Sequence, residues 1–263
     1  MIAASTYPAP RLRVEPRLLE GLVAPLDLEL VLRRLATQPD LHAPAKLVLS
    51  ESGVAGLLTE LPHDRDRKGV EVQLRRAIDL GLAWLGGEPL APKGEPDPEA
   101  LGAALAELPW PTTSDGAGQA IDVAEEGVRV RVRVEPVAGG ALRVEATSSI
   151  PIEAPGAEES LRRFALEATG RIRLARLSVV FNGGTARIIW DAVVPGAPVP
   201  PGHLLEAVLC VVGARDETLQ SLRALGRCPV AEAYTRLRNG RAVNNKCVTN
   251  GAGRHSGEKG EAK

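Results

Sequence analysis

Four histidines, His42, His63, His203 and His255, and three cysteines, Cys210, Cys228 and Cys247, are the residues best suited to bind a metal or act as base or nucleophile. Their spacing argues against both roles. Metal sites and zinc hydrolases place His, Cys or Glu at short fixed intervals so that several donors converge from one turn or helix face. No HExxH, HxH or CxxC arrangement occurs in this chain. His42 and His63 fall in expected loops, His203 at a helix start and His255 in a polar tail, so all four read as surface residues. Cys210 lies on an apolar helical face and reads as a small hydrophobe. No GxSxG elbow is present to expose a serine nucleophile. Asn182-Gly183-Gly184-Thr185 lacks the Lys-Ser/Thr of a phosphate loop and joins two strand-like runs, which makes it a hairpin turn. No catalytic residue, metal or cofactor is expected, and the chain reads as a non-enzyme.

Binding chemistry is better represented. Arg129, Arg131 and Arg133 alternate with valines, so all three share one face of a strand, with Arg143 on the next strand. Two readings remain open: an anion or nucleic-acid platform, or a solvated face balanced by Glu125, Glu126, Glu135 and Glu145. The lack of interleaved aromatics favours the second. A further basic run, Arg236, Arg238, Arg241 and Lys246, reads as a helix end and soluble tail. Trp84, Trp110 and Trp190 are either core anchors or the lining of a groove for another chain. The candidate partner-binding set is therefore Trp110, Trp190, Arg129, Arg131 and Arg133.

Composition sets the frame for these residues. The chain has 263 residues, 44% hydrophobic and 25% charged, enough to bury a core and too apolar for global disorder. A formal net charge of -1 provides no overall attraction to nucleic acid or anionic lipid. Aromatics at 3% leave the core to Leu, Val, Ala and Ile. Sparse cysteines point to a reducing, cytoplasmic setting, and no apolar run approaches a bilayer-spanning length of about 20 residues.

Several elements must position the candidates. Residues 1–15 read as irregular. Two short helices are expected over 17–36, broken at Pro25, then a hairpin at 46–61 and a helix at 70–85. Prolines at 89, 92, 96 and 98 mark a linker. A helix at 98–107 is followed by three strands: 119–123, 127–134 with its strict Val/Arg alternation, and 141–147. Helix 158–173, hairpin 176–194, helix 202–225 and a weaker helix at 229–238 follow. The expected organisation is an N-terminal helix–hairpin–helix unit (1–86), a linker (87–97), an α+β unit (98–238) and a disordered tail (239–263). Residues 158–215 echo residues 29–84 in the order helix, hairpin, Pro-closed exit, helix. The element order gives a fold of the α+β class, an antiparallel sheet packed against helices, and the internal repeat suggests two related units packed together.

The order of elements over 98–225, with Leu105-Ala106-Glu107-Leu108-Pro109-Trp110 just ahead of the first strand, resembles the type III secretion chaperone-like fold, including the YbjN-type bacterial proteins. Members of that family commonly form homodimers and hold client segments, or act as small non-catalytic regulators. The resemblance implies a chaperone-like module holding a segment of a partner protein, as monomer or homodimer, or as an intrachain pseudo-dimer in which a degenerate first copy, residues 16–86, stands in for the partner subunit. Nucleic-acid or anion binding through the arginine face is the alternative, and no membrane is involved.

Overall fold

The computed structural model describes residues 11–14, 26–49, 55–62, 67–87, 98–106, 108–116, 118–125, 128–137, 141–153, 156–195, 199, 202–227 and 234. In chain order the elements are β1 (Arg11–Val14), α1 (Leu28–Arg34), a 3-10 segment (Leu35–Asp40), β2 (Ala45–Leu49), β3 (Ala55–Pro62), α2 (Arg67–Leu85), α3 (Pro98–Leu105), β4 (Thr112–Asp115), β5 (Gly118–Glu125), β6 (Val128–Val137), β7 (Ala141–Pro151), α4 (Ala157–Arg171), β8 (Arg176–Asn182), β9 (Thr185–Val194) and α5 (His203–Leu225). The fold is α+β, with a six-stranded antiparallel sheet ordered β4-β5-β6-β7-β9-β8 and a three-stranded one ordered β1-β3-β2.

Local chemistry explains most of these elements. Asp27 caps α1 by accepting from the Glu29 backbone N–H at 2.9 Å, and Arg33 and Arg34 close its last turn. Alternation in β6 buries Val130, Val132 and Val134 under the helices and turns Arg129 and Arg131 to solvent. The β8–β9 hairpin closes on Gly183 and Gly184, whose φ angles of 47° and 86° suit a two-residue loop that other residues enter at a cost.

Two strands differ from expectation. Arg11–Val14, read as irregular, pairs with β3. Thr112–Asp115, unassigned in the sequence, pairs with β5, so four strands and not three lie between α3 and α4. Thr112, Thr113 and Ser114 are all exposed. An edge strand with both faces wet carries no apolar period to detect. The first of the two helices expected over 17–36, most of the linker, most of the 229–238 helix and the 239–263 tail lie outside the described residues.

The internal echo extends further than the sequence suggests. β1-α1-β2-β3-α2 repeats as β7-α4-β8-β9-α5, and the sheet orders β1-β3-β2 and β7-β9-β8 correspond strand for strand. Each copy packs across the other: α4 lies on β2, and the 3-10 segment lies on β8. One continuous buried apolar cluster runs from Val31, Leu47 and Trp84 through Leu161 and Leu177 to Trp190 and Leu222. The two copies therefore share a single core.

Candidate functional site: a sealed seam and an open sheet end

Where the two copies meet, equivalent residues perform equivalent tasks. The turn entering β2 closes with Ala45 N donating to Ala43 O at 2.7 Å, and the turn entering β8 with Ala175 N donating to Arg173 O at 2.6 Å. One strand position further on in each copy stands a buried cation. Arg176, 2% exposed, grips Asp191, 0% exposed, through Nε at 3.0 Å and Nη2 at 2.7 Å. Its Nη1 reaches into the other copy, donating to the carbonyls of Ala43 at 3.2 Å and Ala45 at 3.0 Å. Lys46 does the converse. It pairs with Glu60 at 3.1 Å and donates to the carbonyls of Ile172 and Ala175, the latter at 3.3 Å. Glu60 also accepts from the Leu174 N–H. Leu174 is, among the described residues, the one non-glycine at positive φ (60°), so this turn carries modest backbone strain.

Gln38 joins the copies directly. Its Oε1 accepts from Leu47 N at 2.6 Å and its Nε2 donates to Leu177 O at 3.1 Å, bridging two equivalent strand positions with one buried amide. In the second copy, Thr169 Oγ1 takes the Oε1 role, accepting from Leu177 N at 3.0 Å. Ions in such a setting are stable because each buried charge has an opposite charge and several dipoles. Buried this way, they are structural groups.

The outer face of the larger sheet, opposite α5, continues the ionic pattern. Asp191 lies 3.4 Å from Arg143 Nε; Arg143 also pairs with Glu145 and, at 3.4 Å, with Glu135; Glu135 meets Arg133 at 3.2 Å, and Glu145 meets Arg187 at 3.2 Å. Arg133 and Arg143 thus belong to a mutually neutralised lattice, the balanced-face reading of the arginine stripe. Arg129 and Arg131, further along β6, are exposed and form no ion pair among the described residues. The stripe therefore divides into a paired part and an unpaired part.

His42 borders this lattice. It is half-buried rather than a surface histidine, because the turn into β2 folds its ring against the charged face, and its Nδ1 is buried without a hydrogen bond. Burial lowers its pKa below the usual histidine value, and the Arg143 and Arg176 charges lower it further against the opposing pull of Asp40 and Glu135.

The tryptophans do not join the arginines. Trp190 projects from β9 to the helix-covered face, is fully buried, and donates from Nε1 to Thr218 Oγ1 at 2.9 Å. It is a core anchor and lines no open surface, which removes it from the partner-binding set. Trp84, at 6% exposure, is likewise in the core, and half-buried Trp110 packs against the same cluster. His203 is half-buried at the start of α5, and Cys210 is half-buried on that helix. His63, His255, Cys228, Cys247 and the basic run 236–246 lie outside the described residues. Among the described residues, no group of three His, Cys, Asp or Glu side chains is placed to hold a metal ion, and no helix is long and apolar enough to cross a membrane.

The seam residues belong to no motif, yet the sequence carries a signal for them. Lys46 and Asp191 are lone charges within apolar strand runs, Ala45–Leu49 and Ile188–Val194. A charge in that position either breaks the strand or finds a buried partner.

Beyond Arg133 the larger sheet opens. The β6–β7 ladder pairs Arg133–Val137 with Ala141–Glu145 and stops there, although β6 begins at Val128 and β7 continues to Pro151. In that stretch, among the described residues, β6 pairs only with β5, and β7 only with β9. Two strand segments, Val128–Val132 and Ala146–Pro151, thus have one hydrogen-bonding edge each without a neighbouring ladder. Arg129, Arg131, Thr147 and Ser149 are exposed at the mouth of this split, while Val130, Val132, Ala146 and Ile150 are buried on its inner side. No family model, curated protein or solved structure matches this chain.

Proposed function

We propose that this chain is a non-catalytic protein-binding module that holds an extended segment of a partner protein, in a chaperone-like or regulatory role and a cytoplasmic setting. The observation that carries this reading is the split between β6 and β7. Unladdered strand edges flanked by exposed polar residues are where a second chain adds by backbone pairing, a recurrent mode of peptide recognition. Two further features support it. The buried ionisable groups, Lys46, Glu60, Arg176 and Asp191, are engaged in holding the copies together. The order of elements resembles the type III secretion chaperone-like fold, from which this chain departs by the additional strand β4 and by carrying its second copy in one polypeptide.

Nucleic-acid binding is the second reading, favoured by the unpaired exposure of Arg129 and Arg131. It is the weaker of the two because Trp190 faces away from the arginines and cannot stack bases beside them. The test is a binding survey at low salt, comparing an array of unstructured peptides with single-stranded oligonucleotides. Peptide binding in preference to oligonucleotides is expected. Binding of oligonucleotides alone, or of neither, would remove the proposal.

A further inference from the structure

Resting on the protein-binding reading, we infer that the β6–β7 split selects an acidic extended segment, with carboxylates at alternate positions meeting Arg129 and Arg131 while its backbone pairs along Val128–Val132. Three observations lead there. First, the strand edge carries no ladder among the described residues: β5 pairs with one side of Val128–Val132, and the β7 ladder on the other side ends at Arg133. In an antiparallel strand about half the backbone N–H and C=O groups point to each side, so one row along this segment lacks a strand partner. Second, the arginines at the mouth form no ion pair among the described residues. Arg133 has Glu135 and Arg187 has Glu145, whereas Arg129 and Arg131 have no such partner there. Asp122, across from Arg131 in the β5–β6 register, is exposed and makes no ion pair with it. Third, the spacing selects sequence. Arg129 and Arg131 are two residues apart on one face, separated by roughly 7 Å, which matches side chains two apart on an incoming strand. A segment alternating carboxylates with small polar residues satisfies both arginines in one register, and shifting it by one residue turns every carboxylate away.

Free arginine guanidinium groups suit this task because they hold a carboxylate with two parallel hydrogen bonds, adding direction to the charge attraction. Asp122 would oppose an incoming carboxylate, so its removal should tighten binding.

The experiment is fluorescence anisotropy on the full-length protein. The probe is a fluorescein-labelled peptide of alternating glutamate and threonine, with the same peptide carrying glutamine for glutamate and an oligothymidylate as comparators. The glutamate peptide is expected to bind and to weaken as salt rises. Binding should fall at least about tenfold in the Arg129→Glu/Arg131→Glu double variant, remain unchanged in Arg223→Glu on α5, and strengthen in Asp122→Asn. Circular dichroism and melting of each variant, with Arg129→Gln/Arg131→Gln as a milder pair, keep loss of binding separate from loss of fold. Equal binding of the glutamine peptide, or unchanged affinity in the double variant, would overturn the acidic selection while leaving the protein-binding reading standing. Oligothymidylate bound at least as tightly through the same arginines would overturn both.

Discussion

The two ends of the outer sheet face use the same residue type in opposite ways. At the seam, Arg176 and Arg143 are buried or nearly so, each held by carboxylates, and Arg176 also satisfies two carbonyls of the other copy. At the split, Arg129 and Arg131 stand exposed and form no ion pair among the described residues. The difference shows that burial and pairing, not residue identity, decide whether an arginine fixes the fold or faces a partner. A charge removed from the seam leaves its partner uncompensated in low dielectric, whereas a charge removed from the split leaves only water behind.

That contrast orders the expected effects of mutation. Asp191→Ala should be the most damaging, costing on the order of 3–5 kcal/mol in chemical denaturation, because Arg176 would remain buried and uncompensated. Lys46→Met should cost less, about 2–3 kcal/mol, since Glu60 retains the Leu174 N–H as a donor. Adding Glu60→Leu to Lys46→Met should recover part of that loss by replacing both charges with apolar groups, leaving the Leu174 N–H unsatisfied. Gln38→Ala should cost roughly 1–3 kcal/mol by orphaning Leu47 N and Leu177 O, equivalent backbone groups of the two copies.

Acid should act on the seam through His42. Its folded pKa lies below the ordinary value of 6.5, so the unfolded chain takes up a proton first as pH falls. Its contribution is therefore intact above pH 6.5 and is lost progressively as pH falls from there through the lowered folded pKa. Denaturation midpoints measured across that window should drop with acid in the native protein and drop less in His42→Asn. At the split, Arg129→Gln with Arg131→Gln should change stability by no more than about 1 kcal/mol, the smallest effect in the series.

How much of this was legible in the sequence depends on what each pattern reports. The Val/Arg alternation of β6 located its two faces correctly, and Asn182-Gly183-Gly184 marked its hairpin, because side-chain period and turn chemistry are local. Helix α5 was legible from its apolar spacing. β4 was not, since a strand of Thr112, Thr113 and Ser114 buries nothing to create a period. The split is not legible for a related reason: alternation fixes which face a residue occupies and is silent on whether the strand beside it stays paired. The repeat was visible as element order, while its significance lies in Arg176, Lys46 and Gln38, whose partners are distant in sequence and few in identity. Trp190 reads from sequence more readily as a core anchor than as a groove residue, and the sheet places it in the core under α5.

Amide hydrogen exchange on the free protein tests the contrast between the sealed and open ends most directly. Backbone amides of Arg133–Val137 and Ala141–Glu145 should exchange slowly, while those of Val128–Val132 and Ala146–Ile150 that point into the split should exchange fast. Uniform slow exchange along the whole of β6 and β7 would mean an unbroken ladder with no edge to offer, and would contradict the account.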